Sequence, residues 1–75
     1  MTPRLFMIDG WYAVQIDPCT VELFRYDVHK DNGTVEHYAH YCHVTCKNLV
    51  IDVSFVDRDD FPWDMLRAIF NGEAA

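Results

Sequence analysis

The sequence predicts an α+β fold: an antiparallel four- to five-stranded β-meander packed against one C-terminal α-helix. Three observations lead there. Up to Val56, short segments rich in aromatic and β-branched residues alternate with turn residues. Two of the turns, Asp9-Gly10 and Asp31-Asn32-Gly33, carry the residues that tight hairpins favour. After Val56 the apolar spacing lengthens to that of a helix.

The elements follow in order. Arg4 to Ile8 is a short apolar strand that ends at Asp9-Gly10. Trp11 to Ile16 is the second strand, closed by the loop Asp17-Pro18-Cys19-Thr20, where Pro18 lacks an amide donor. Val21 to Lys30 is the third. Thr34 to Cys46 is a long fourth strand with room for a bulge, and a turn at Lys47-Asn48 leads to Leu49 to Val56, the fifth. Trp63, Leu66 and Phe70, widened by Met65 and Ile69, then form the apolar stripe of a helix from about Asp60 to Asn71. Asp59 or Asp60 can cap it, Pro62 suits its first turn, and Asn71-Gly72 suits its end.

Register assigns the faces. In the fifth strand Leu49, Ile51, Val53 and Phe55 are wholly apolar and belong inside. A turn at Lys47-Asn48 pairs Cys46 with Leu49, which puts Cys42 and Cys46 inside and His43 beside Asp52 on the outer face. A three-residue turn ending at Gly33 pairs Lys30 with Thr34. Phe24, Tyr26 and Val28 then join Tyr38, His40 and Cys42 inside, and Asp27 comes opposite His37 outside. Val21, Leu23, Val35, Ala39 and Tyr41 are left on the outer face, an apolar patch of the kind that marks interaction surfaces.

Composition narrows the function. The 75 residues make one small domain, with 51% hydrophobic residues, among them two Trp, four Tyr and five Phe. That is too apolar for a disordered chain. No apolar run nears the ~20 residues of a membrane span. Three cysteines without an export signal point to reduced thiols and a cytoplasmic setting. A formal charge of -6 opposes direct binding to nucleic acid, which needs Lys and Arg, and suits a basic partner.

The string His37-x-x-His40-x-Cys42-His43-x-x-Cys46 has the residue types of a zinc site. On a strand, however, Cys42 and Cys46 stand about 13 Å apart and cannot share one ion. A Cys–His nucleophile needs an orienting third group and a pocket, and no nucleophile motif surrounds the cysteines. No metal ligand set, cofactor or catalytic residue is therefore assigned, and the chain is not read as an enzyme. The remaining chemistry is acidic: Asp57, Asp59, Asp60 and Asp64 suit docking onto a Lys/Arg-lined groove. Tyr41, His37 and His43 on the outer face complete the expected partner-binding set. Phe61, Trp63, Tyr12 and Tyr38 are further aromatic anchors.

In size, charge and lack of catalytic residues the chain is similar to small phage-encoded inhibitors of host defence, such as anti-CRISPR proteins. The similarity is one of class and transfers no site. The expected function is a small protein-binding inhibitor or adaptor that blocks a basic surface of a larger protein, with a nucleic-acid-binding effector as the first partner to test. A self-assembling structural subunit, for which a homodimer suffices, is the alternative, and a small zinc-binding domain the second.

Overall fold

The computed structural model describes residues 2–29 and 35–72, with 27–29 and 35–37 as backbone only. Five strands form one antiparallel sheet in sequence order: β1 (Arg4–Ile8), β2 (Trp11–Asp17), β3 (Thr20–His29), β4 (Val35–Lys47) and β5 (Val50–Val53). The helix α1 (Trp63–Phe70) follows. The meander and its C-terminal helix are as the sequence predicts. The Asp31-Asn32-Gly33 turn lies outside the described residues.

Turn chemistry sets most of the ladder. Asp9 and Gly10 have φ of 46° and 83°, the primed turn whose twist matches the strands it joins. The positive φ is what calls for Gly10, and a Cβ there would also come within 3.1 Å of Arg25 Nη1. At the next turn the Asp17 carboxylate accepts a 2.8 Å bond from the Cys19 amide.

The β4–β5 turn differs from expectation. It is formed by Asn48 and Leu49, with φ of 51° and 66°, and Lys47 closes β4 opposite Val50. Cys46 therefore faces Ile51, and Val44 faces Val53. Asn48 adopts the left-handed region readily, which draws the turn one residue onward. The register moves by two, so Ile51 and Val53 keep the inner face. Leu49 leaves it and is 92% exposed. Phe55, expected inside, lies beyond the end of β5 and is exposed. His43 does not face Asp52 either; Thr45 does.

A larger correction comes from β4. Asp27 lies opposite His37, Tyr26 opposite Tyr38 and Phe24 opposite His40, the register inferred from the sequence. Then the ladder slips, and Leu23 faces Cys42, leaving Tyr41 without a partner on β3. This bulge changes which β3 residues share a face with Cys42 and Val44. Val21 and Leu23, expected outside, are fully buried. Phe24 and Tyr26, expected inside, are on the opposite face, as are Tyr38 and His40 across from them.

The core lies between the sheet's inner face and the helix. Phe6, Trp11, Ala13, Val21, Leu23, Cys42 and Val44 meet Phe61, Leu66 and Ile69 in one cluster. Gln15 is the buried polar member, and its side-chain oxygen finds no donor among the described residues. The helix is shorter than expected, and Pro62 stands at its N-cap without a side-chain bond. A residue before proline avoids helical backbone, which keeps Phe61 out of the helix. Asp60, an expected cap, is instead bound by Arg58. Leu66 and Ile69 are buried, and Trp63, Met65 and Phe70 flank them. Gly72, with φ of 74°, donates to the Ile69 carbonyl at 3.1 Å and ends the helix.

Candidate protein-binding surface

The described residues form one sheet and one helix, with a smallest principal extent of 16 Å. The helix covers one face of the sheet. Among the described residues, no element packs over the other face. Cross-strand pairing puts Leu5 with Val14, Met7 with Tyr12, Tyr12 with Phe24 and Tyr26 with Tyr38 on it. Leu5 and Met7 are 60% and 64% exposed. The rings run across three strands: Tyr12 lies 6.0 Å from Phe24 and 5.5 Å from Tyr38, and Tyr38 lies 5.3 Å from Tyr26. A contiguous apolar and aromatic face of this kind is uncommon on a monomer that touches nothing.

Beside these rings stands a polar cluster that the sequence did not reveal. His40 donates to one oxygen of Glu22 at 2.6 Å, and His43 donates to the other. His40 also packs its ring on Phe24 at 5.3 Å. Burial pushes the Glu22 carboxyl up, but the two imidazole bonds outweigh it and hold the group below its ordinary value. The bulge brings these groups together. It places Glu22 opposite His43 while Phe24 stays opposite His40, so both imidazoles flank Glu22. Each imidazole bonds a different oxygen, so the carboxylate fills the space between them. Among the described residues, no group of three or more His, Cys, Asp or Glu side chains is arranged to hold a metal ion.

The expected site residues fall into separate places. Tyr41 and Asp57 meet: the phenol donates to the Asp57 carboxylate and accepts the Asp57 amide at 3.1 Å. Burial and the adjoining carboxylate push the Tyr41 phenol above its usual range. Tyr41 also packs edge-on to Trp11 at 5.1 Å, on the core side. Asp60 is bound by Arg58 at 2.8 Å and lies 3.4 Å from Arg25. The Arg58 bonds hold its carboxyl below the usual range despite the cost of burial. Asp64 pairs with Arg67 at 2.9 Å. Asp59 is exposed and forms no side-chain bond to a described residue. His43 lies on the opposite, uncovered face, and the His37 side chain lies outside the described residues. The acidic segment and His43 thus lie on two surfaces, and three of the four aspartates already hold donors within the chain.

The cysteines divide likewise. Cys42 is buried, and burial followed by the Glu22 charge pushes its thiol up to about 11. Cys46 is half-buried and Cys19 is exposed, and none is in a disulfide. A thiol held protonated at neutral pH is a poor nucleophile. Of the further aromatics, Phe61 is core, Trp63 is half-buried, and Tyr12 and Tyr38 belong to the uncovered face. No described helix is long and apolar enough to cross a membrane.

Fold and surface together define a class: a two-layer α+β domain whose sheet leaves one aromatic face open. No family model, curated protein or solved structure matches the chain.

Proposed function

We propose that the chain is a small cytoplasmic protein-binding inhibitor or adaptor that docks on a basic, nucleic-acid-binding surface of a larger protein. The observation that carries this reading is the open sheet face, where Leu5, Met7, Tyr12, Phe24 and Tyr38 form an apolar surface that no described element covers. Aromatic and methionine side chains are the usual energetic centre of such interfaces. The net charge of -6 supports a basic partner, since long-range attraction speeds encounter before the apolar face makes contact. Asp57, Asp59, Asp60 and Asp64 contribute to that field even where each is paired locally. Glu22, held between His40 and His43, adds a negative charge to this face that suits a partner's Lys or Arg.

Affinity capture from a host lysate at low and high salt tests the reading, with the partner identified by mass. A salt-sensitive partner whose binding is lost on Met7→Glu and competed by nucleic acid is expected. Absence of any such partner, or binding unchanged by Met7→Glu, counts against it.

A further inference from the structure

β1 is an edge strand without the devices that protect edges. Among the described residues it pairs with β2 alone. That ladder runs without a register shift, so no bulge twists the edge away. The strand holds no proline and no lysine, and Leu5, Met7 and Ile8 are exposed at 60%, 64% and 46%. The Asp9-Gly10 turn fixes which backbone groups the edge presents. A two-residue hairpin turn is closed by a hydrogen-bonded pair, here Ile8 with Trp11. Bonded and non-bonded pairs alternate from there, so Phe6 and Arg4 also turn their amides and carbonyls to β2. Leu5 and Met7 point theirs outward, the complement of another extended strand.

Three features select a second copy of β1 as that strand. First, antiparallel pairing of Leu5 with Met7 of the other copy, and of Met7 with its Leu5, satisfies every outward amide and carbonyl of both strands. Sliding the register one step would set Met7 against Pro3, which has no amide, or Leu5 against Asp9 in its turn. Second, Leu5 and Met7 both belong to the open face, so this register lays apolar side chain on apolar side chain without mixing faces. Third, the charges complement. The strand carries Arg4 at its start, no acidic residue precedes Asp9, and Asp9 stands just past its end. Antiparallel pairing brings each Arg4 beside the other copy's Ile8–Asp9 end, so opposite charges meet at both ends of the contact. Elsewhere a chain of net charge -6 repels its own copy.

From these features we infer that two copies pair antiparallel through β1, Leu5 of each against Met7 of the other, and join their sheets into one. The contact is isologous and closes at two copies. It uses the strand edge and leaves the open face uncovered, so it does not rest on the binding function proposed above.

Hydrogen exchange of the native chain from about 5 µM to about 500 µM, a range suited to a small interface, reads the pairing residue by residue. The Leu5 and Met7 amides are expected to exchange about tenfold more slowly at the top of the range than at the bottom, and the Phe6 amide to be protected at both. Sedimentation over the same range is expected to show the 8.8 kDa chain doubling in mass. Met7→Pro removes an outward amide where an edge strand tolerates proline, and Arg4→Glu sets like charges at both ends of the contact. Both variants are expected to stay monomeric. Adding Asp9→Asn to Arg4→Glu keeps the turn and removes the repulsion, so part of the dimer returns. A native chain monomeric throughout overturns the inference, as does a dimer whose Leu5 and Met7 exchange does not change with concentration. A dimer undiminished by Arg4→Glu overturns it too, and that variant decides where Met7→Pro does not fold. Failure to capture a basic partner leaves all of these readings unchanged, so the two proposals fail separately.

Discussion

Leu23 lies opposite Cys42, while its neighbour Phe24 lies opposite His40, and the residue between the two histidine-strand positions, Tyr41, has no partner on β3. This one-residue slip makes Val21 and Leu23 core and sends Phe24 to the open face. The two residues should respond differently to truncation. Leu23→Ala is expected to cost about 3 kcal/mol, the usual loss for a fully buried leucine. Phe24→Ala should cost about 1 kcal/mol, since it loses mainly ring contacts with Tyr12 and His40. Urea unfolding of both variants checks this, and equal costs would contradict the bulged register.

Tyr41 anchors the segment after β5. Its hydroxyl serves the Asp57 carboxylate and amide together, while its ring rests on Trp11. Tyr41→Phe keeps the ring and removes both bonds. Because Asp57 is exposed and water can replace them, the expected loss is about 1 kcal/mol. A lower urea midpoint with an unchanged slope is the measured outcome.

The open face should make stability depend on acid. Glu22 has its folded-state pKa below the ordinary 4.5 because His40 and His43 bond its carboxylate. A group depressed in this way contributes stability that is complete above the unfolded value and is lost as pH falls through the folded one. Melting temperature should therefore fall as pH drops below about 4.5, and Glu22→Gln should flatten part of that fall. A thermal melt series from neutral pH into acid reads the difference. Identical profiles for the two proteins would remove Glu22 from the account.

Thiol chemistry should follow burial and protonation. Cys19 is exposed, whereas Cys42 is buried and its thiol is pushed up to about 11. In brief alkylation at neutral pH, Cys19 is modified and Cys42 is spared, and urea makes both reactive. Mass mapping of the labelled peptides gives the result directly. Modification of Cys42 in the folded protein would be the contrary outcome.

The sequence by itself determined the elements and their order. Alternating apolar residues, Asp9-Gly10 and the Trp63–Phe70 spacing are local signals, because turn geometry and side-chain period are properties of neighbouring residues. The pairing of Asp27 with His37 followed from the Asp31-Asn32-Gly33 turn read together with the apolar pattern on either side of it. The inner placement of Cys42, Ile51 and Val53 survived even a register error of two, since parity decides the face. What only the tertiary structure decided was the position of one extra residue on β4. A bulge is paid for by packing between strands far apart in sequence, here Tyr41 on Trp11 and Leu23 beneath Cys42. No period within β3 or β4 marks it. That single residue assigned the core, opened the aromatic face and brought Glu22 between two histidines.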